Sequence, residues 1–128
     1  MEDYIVRGTA AGDQIRAFAV SSRGLVQAAH ERHRTSPLAT AALGRSLSAA
    51  LMMGKDDEMT LQFLGDGPLA NMTVTADSRG HVKVFVGNSE VCLPAKSNGH
   101  LDVGGAVGQG TLRVIKDLGL REPYVGTV

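Results

Sequence analysis

Alternating hydrophobic and polar residues predict seven short β-strands along this chain. Two of them come first, and the turn Ala11-Gly12-Asp13 joins them into a hairpin. The other five lie in the second half of the chain, where turns rich in Gly, Pro and Asp separate them. The predicted strands are residues 4–9, 14–20, 58–64, 71–76, 81–86, 111–116 and 124–128.

Helical spacing of apolar residues replaces this alternation between the second and third strands. Residues 23–33 predict a helix with Ser21 or Ser22 as its N-cap. Ser36 and Pro37 then open a longer helix, since Ser is favoured at the N-cap and Pro at the first helical position. Residues 101–107 predict one further helical turn.

The longer helix carries leucines on one stripe and small residues on its other faces. Leu43, Leu47 and Leu51 form the stripe, and Arg45 is the only charge between residues 36 and 54. A helix that is apolar or small all round is expected to be buried on all sides. The fold class predicted is therefore α+β, with β/α/β layers around a buried small-residue helix. Arg45 is expected to reach solvent at one edge or to meet a carboxylate.

The same apolar run is too weak to predict a membrane span. It lies at the short limit of the roughly 17–25 residues that a span needs. Arg45 near its centre costs about 2.5–3.5 kcal/mol of insertion free energy, which roughly cancels the gain from its four leucines. We predict no membrane partner.

Composition further narrows the function classes. The 128 residues fit one domain, and 13 basic and 13 acidic side chains give a formal net charge of zero. That balance and an aromatic content of 4% without Trp argue against a nucleic-acid partner. A single cysteine, Cys92, and the absence of an apolar leader predict a cytoplasmic protein.

Cys92 and its neighbours are the only arrangement that resembles a nucleophile set. His81, His100 and Asp102 are close to it in sequence. Cys92 itself lies in a short apolar segment that predicts a strand, where cysteine is usually a small buried hydrophobe. We therefore predict no catalytic residue and no enzyme.

Two further patterns are weak candidates for a ligand. The glycines between residues 104 and 110 precede a strand instead of opening a helix, so they predict a backbone-packing turn and not a phosphate cradle. His30 and His33 are three residues apart on a helix, but no third ligand stands at a matching spacing. No metal ligand and no cofactor is predicted for this chain.

Exposed aromatic residues on strands are the candidates for binding an apolar partner. Residues 15–19 and 82–86 are alike, because in each a cation and a phenylalanine share one face. The simpler interpretation is chance similarity of two half-buried strands. The sharper one is that Phe18 and Phe85 lie on a face that the core does not use, where they bind apolar partners. Tyr124, at the open end of the last strand, is the third candidate.

Several segments together resemble the redox-regulated heat shock protein 33 family, also called the 33 kDa chaperonin. The likeness covers nearly the whole chain and keeps the family's order, although no single segment is specific. The segments are Tyr4-Ile5-Val6-Arg7, residues 15–19, Ala42-Leu43-Gly44-Arg45, Gly67-Pro68-Leu69, Gly80 with Val82, Gly108-Gln109-Gly110-Thr111-Leu112, and residues 112–126.

The resemblance implies a cytoplasmic holdase that binds unfolding client proteins without ATP and prevents their aggregation under oxidative stress. It also implies a homodimer, and a C-terminal zinc module with cysteines in CxC and CxxC pairs. Residues 1–128 would be the N-terminal domain of such a protein, truncated before that module, and Cys92 matches none of its cysteines. Residues 52–56 are about one helical turn shorter than the family pattern.

Two alternatives remain open at this stage. The domain is a dimerisation scaffold without client binding of its own, or it binds a small ligand through Cys92 or the glycines of residues 104–110. In the chaperone interpretation, Phe18, Phe85 and Tyr124 contact the client.

Overall fold

The computed structural model describes residues 2–54 and 57–128, and within them three helices and seven strands follow in the predicted order. Their ends lie within two residues of the predicted ones. The strands are β1 (Tyr4–Ala10), β2 (Ile15–Ser21), β3 (Glu58–Gly65), β4 (Met72–Ala76), β5 (Val82–Val86), β6 (Gly110–Asp117) and β7 (Tyr124–Thr127). The helices are α1 (Arg23–His33), α2 (Pro37–Met53) and α3 (Val103–Val107).

The strands form two antiparallel sheets with α2 between them. β1 and β2 pair as a separate hairpin, and the other five strands form a sheet in the order β5-β4-β3-β6-β7. α2 contacts β3, β4 and β5 of the larger sheet and β2 of the hairpin. The predicted α+β fold with β/α/β layers is confirmed.

α2 provides the centre of the core, but it is not buried on all sides. Leu43, Leu47 and Leu51 are fully buried, together with the small residues that share their side of the helix. Gly44 and Arg45 lie on the opposite side of α2, beside α1. Arg45 reaches solvent there, which is one of the two environments predicted for its charge. α1 covers only part of this side of α2. The prediction that α2 is buried on all sides is therefore wrong for this side. No helix among residues 2–54 and 57–128 is both long and apolar enough to span a bilayer.

The ends of α2 follow the local sequence. The Ser36 hydroxyl accepts a hydrogen bond from the Ala39 N–H (3.2 Å) and donates one to the Val91 carbonyl (2.6 Å). At the other end Gly54 follows the helix as its C-cap. The shortening expected over residues 52–56 falls partly on Lys55 and Asp56, which lie outside the described residues.

The N-terminus of α1 is capped by a distant residue. Ser22, one of the two predicted serines, is the N-cap residue. Its hydroxyl forms a hydrogen bond with the Ser48 hydroxyl (2.7 Å) and not with the helix backbone. The carboxylate of Asp3 instead accepts hydrogen bonds from the N–H groups of Gly24 (3.0 Å) and Leu25 (2.7 Å). A negative charge at a helix N-terminus is favourable. Because Asp3 directly precedes β1, its hydrogen bonds also connect the hairpin to α1.

Asp77 organises the turn between β4 and β5. Its Oδ1 accepts hydrogen bonds from the N–H groups of His81 and Arg79, both at 2.9 Å, and its Oδ2 lies 3.1 Å from His81 Nδ1. The hydrogen bond from the His81 N–H is the largest cause that holds the pKa of Asp77 below its ordinary value. Because the folded-state pKa lies below the unfolded one, this stabilisation is present above about pH 4 and is lost as the pH falls through the folded-state pKa.

We expect Asp77→Asn to flatten this part of the pH dependence. The amide oxygen still accepts the backbone hydrogen bonds, but it carries no charge to titrate. Urea unfolding from about pH 6 to about pH 2.5 should show a smaller loss of unfolding free energy for the variant than for the parent chain. Asp13→Asn, in the β1–β2 turn, is the control. Identical pH dependence in Asp77→Asn and the parent would contradict the assignment.

Candidate functional site

The five-stranded sheet has one side in the core and one side open to solvent. Met59, Leu61, Met72 and Val74 point to the inner side, where they are buried against α2. α1 and α3 both pack on α2, so all three helices lie on that side. The strand register places the following side chains on the opposite side, called the outer face: Glu58, Thr60, Gln62, Leu64, Thr73, Thr75, Lys83, Phe85, Thr111, Arg113, Ile115, Asp117, Val125 and Thr127.

The outer face combines apolar side chains with uncharged hydroxyl groups. Phe85 (58% exposed), Val125 (46%) and Leu64 (37%) provide its large apolar area. Threonines fill the centre of the sheet, and the hydroxyls of Thr60 and Thr75 lie 3.0 Å apart. The outer face also carries charged side chains: Lys83, Arg113 and, opposite each other at one end of β3 and β6, Glu58 and Asp117. It is therefore an amphipathic surface.

The three aromatic residues predicted to bind a partner lie on three different surfaces. Phe85 is on the outer face at the β5 edge, whereas Tyr124, opposite Lys116, points to the inner side at the β7 edge. Four strand spacings, about 19 Å, separate those edges. Phe18 is half-buried on the hairpin, opposite Arg7. The structure does not bring these residues together into one site.

The likeness between residues 15–19 and 82–86 does not extend to their positions. Phe18 points to the same side of the hairpin as Ile5 and Val20, which pack against the core. Phe85 points away from the core. The two segments are similar because both strands are half-buried, which is the simpler of the two interpretations.

The hairpin carries a second exposed apolar surface that the sequence analysis missed. Tyr4 (55% exposed), Val6 (51%) and Ile15 (57%) share its solvent side with Ala17 and Ala19. The signal was present in the alternation of both strands. Charged side chains on a strand usually indicate its solvent side, but the register places Arg7 and Arg16 on the same side as Ile5 and Val20.

Cys92 differs from its prediction. It is exposed and lies outside any strand, so the prediction of a buried, strand-bound cysteine is wrong. The neighbouring Val91 takes the buried position instead, at 2% exposure, and successive side chains of an extended segment point in opposite directions.

The residues near Cys92 in sequence have other partners. Asp102 caps α3 by accepting a hydrogen bond from the Gly105 N–H (2.9 Å), and His81 pairs with Asp77. Among residues 2–54 and 57–128, no three His, Cys, Asp or Glu side chains are placed to hold a metal ion. The half-buried His30 instead places Nδ1 3.1 Å from the hydroxyls of both Thr35 and Thr40 at the α1–α2 corner.

Of the glycines predicted to form a backbone-packing turn, Gly108 and Gly110 do so, because a Cβ on either would overlap the backbone of residues 64–67. Gly104 and Gly105 lie within α3 instead, and a Cβ on Gly104 would meet nothing within 4 Å. A Cβ on Gly65 would overlap the carbonyl oxygen of Val107, and one on Gly67 would overlap that of Ala106. The end of β3 and the turn after it therefore pack backbone to backbone against α3.

Comparisons with known proteins agree with the arrangement of these elements. The family model described as Hsp33 protein matches residues 3–128. A 33 kDa chaperonin from Agathobacter rectalis is 56% identical over 98% of this chain and 46% of its own length. One from Acetivibrio thermocellus is 53% identical over 100% of this chain and 45% of its own.

A solved structure shows the same fold. The crystal structure of a 33 kDa chaperonin from Thermotoga maritima superposes with a TM-score of 0.92 at 39% identity, over 97% of this chain and 44% of that one. The present chain thus spans a little under half the length of these relatives.

Proposed function

The chain belongs to the Hsp33 family, and on that premise we propose that it forms the client-binding domain of a redox-regulated, ATP-independent holdase chaperone of the cytoplasm. The open outer face is the single observation that carries this proposal. Unfolding proteins expose apolar side chains, and burying them against a complementary apolar surface is favourable without any chemistry. The relatives from Agathobacter rectalis and Acetivibrio thermocellus are both named 33 kDa chaperonin, which supports a chaperone role.

The composition of the outer face suits a broad range of clients. Phe85, Leu64 and Val125 offer apolar contact area, and the threonine hydroxyls between them both donate and accept hydrogen bonds. Phe85 is the principal contact that we propose, and Phe18 and Tyr124 are contacts at separate surfaces.

Redox control is proposed for a region other than this domain. The family resemblance implies a zinc module with four cysteines, and the single Cys92 of this chain cannot supply that ligand set. The domain would then bind clients whenever the module does not restrain it. We also propose a homodimer, since the β7 edge of the five-stranded sheet is free to pair among the described residues.

The proposal is tested by light scattering of a heat-unfolded reporter enzyme, with the chain added under reducing conditions. We expect near-stoichiometric amounts to suppress the scattering, and Phe85→Ser to require several-fold more protein for the same suppression. Phe85 is exposed, so its replacement should change the unfolding free energy by no more than about 0.5 kcal/mol.

Leu120→Ser is the matched control, because Leu120 is 68% exposed but lies in the β6–β7 turn, outside the outer face. It should suppress scattering as the parent does. Equal suppression by the Phe85 and Leu120 variants would remove Phe85 from the client contact. No suppression by the folded parent would identify the domain as a dimerisation scaffold, which sedimentation would then detect.

A further inference from the structure

β5 ends the five-stranded sheet and presents free backbone groups along its outer edge. Two hydrogen bonds define the register with β4: Gly87 N–H to the Asn71 carbonyl (2.7 Å) and Asp77 N–H to the His81 carbonyl (3.1 Å). In an antiparallel pair, bonded and non-bonded residues alternate along the strand. His81, Lys83 and Phe85 therefore bond to β4, and the N–H and C=O groups of Val82, Val84 and Val86 point away from the sheet.

α1 runs beside this edge and leaves a groove of about 550 Å³ between helix and strand. Leu25, Ala28 and Ala29 line the helix side of the groove, and Val82 and Val84 line the strand side. Ala29 is buried, whereas Ala28 is exposed. The side chains on both walls are thus apolar, and the unpaired N–H and C=O groups of β5 make the strand edge polar.

Four side chains that line the groove carry basic groups, and the Asp77 carboxylate lies 3.1 Å from one of them, His81. Arg32 and His33 line it from α1, and His81 and Lys83 line it from β5. None of its lining residues, all from the described part of the chain, is acidic. This local excess of basic groups stands out in a chain whose formal net charge is zero.

We propose that this α1–β5 groove binds an extended acidic peptide segment, which adds as a further strand to the edge of β5. A helix beside a free sheet edge is the arrangement by which strand addition binds peptides: the backbone bonds supply affinity and the groove selects alternate side chains. Apolar side chains of the peptide would lie against Leu25 and Ala29, and carboxylates would lie near Arg32 and Lys83. This inference does not rest on the proposed function: the apolar walls of the groove lie on the α1 side of the edge, and Lys83 alone of its named contacts also belongs to the outer face.

Charge decides against a second copy of this chain as the occupant. Pairing two β5 edges would bring Lys83 and His81 of one chain close to the same basic residues of the other, and like charges on facing strands are unfavourable. An acidic peptide meets complementary charge at the same positions.

The test uses two fluorescein-labelled heptapeptides, one alternating Glu and Val and one alternating Lys and Val, followed by fluorescence anisotropy at low salt. We expect saturable binding of the acidic peptide only. The double variant Arg32→Glu/Lys83→Glu should weaken it roughly tenfold or more, since both rim charges become repulsive. The control Arg121→Glu makes a similar charge change in the exposed β6–β7 turn and should leave the dissociation constant unchanged.

N-methylation of the peptide tests the backbone pairing without altering the protein. Only alternate residues of an added strand turn their N–H groups to β5. Methylating one alternate set should therefore abolish binding, and methylating the other should preserve it. Equal binding of both methylated peptides, or of the lysine peptide, would overturn the proposal. So would an absence of binding to the folded chain.

Discussion

Replacing Leu47 with alanine is expected to lower the free energy of unfolding by about 3–4 kcal/mol, among the largest effects of any single substitution in this chain. Leu47 is fully buried in the middle of α2, between the five-stranded sheet and the hairpin. Both layers are sheets whose strands are held by hydrogen bonds, so they cannot collapse readily into the cavity that the lost side chain leaves. Urea unfolding followed by circular dichroism measures the loss, and the melting temperature should fall by about 10–15 °C.

Leu120→Ala is the control for the Leu47 prediction. The same atoms are removed from a side chain that is 68% exposed, so the unfolding free energy should stay within about 0.5 kcal/mol of the parent value. A loss below about 1 kcal/mol for Leu47→Ala would contradict the central position of α2, because a fully buried leucine costs more than that to truncate.

The second large effect is expected for Gly67→Ala. The added methyl group would overlap the carbonyl oxygen of Ala106, which belongs to the backbone of α3 and cannot rotate away. Either the β3–β4 turn or α3 must then move, at a cost of about 2–3 kcal/mol. The backbone hydrogen bonds Gly67 N–H to the Val107 carbonyl (3.0 Å) and Leu69 N–H to the Ala106 carbonyl (2.9 Å) would be strained by the same movement.

Gly8→Ala tests whether the loss arises from packing or from glycine chemistry in general. Gly8 lies in β1 with no atom within 4 Å of the position that a Cβ would take. Its replacement should therefore be neutral or slightly stabilising, because alanine lowers the entropy of the unfolded chain. Parallel losses for Gly67→Ala and Gly8→Ala would show that the contact with α3 is not the cause.

The two stability predictions concern packing contacts, whereas the client-binding test concerns an exposed surface. Leu47 and Gly67 lie inside the molecule, whereas Phe85 is 58% exposed. A variant that loses client binding but keeps the parent's unfolding curve therefore reports on the outer face and not on the core. Circular dichroism of each variant should accompany every binding measurement for this reason.

The sequence predicted the order and type of all ten elements because their signals are local. Alternation marks a strand that is buried on one face, and Ser36 with Pro37 marks a helix start through bonds within four residues. The stripe of Leu43, Leu47 and Leu51 also predicted which helix would be central, since such a helix must be buried somewhere. The family resemblance, now shown for residues 3–128, rests on the same pattern of segments.

The candidate site depended on relations that no local pattern contains. Alternation shows that Phe18 and Phe85 share a face with cations, but only strand register decides whether that face is turned to the core or to solvent. Cys92 appeared buried because its neighbours are apolar, and the loop instead buries Val91. Asp3 was not recognisable as the cap of α1, since the loop closure that brings it there spans about twenty residues.

By itself, the sequence determined the elements, the central helix and the family, because each follows from spacing within a segment or from the order of segments. Only the tertiary structure decided which sheet side is open, which strand edge is free, and which basic residues of α1 and β5 line one groove. The physical reason is that a side chain's exposure and charge neighbours are set by residues distant in the chain, and packing of all the layers together fixes those distances.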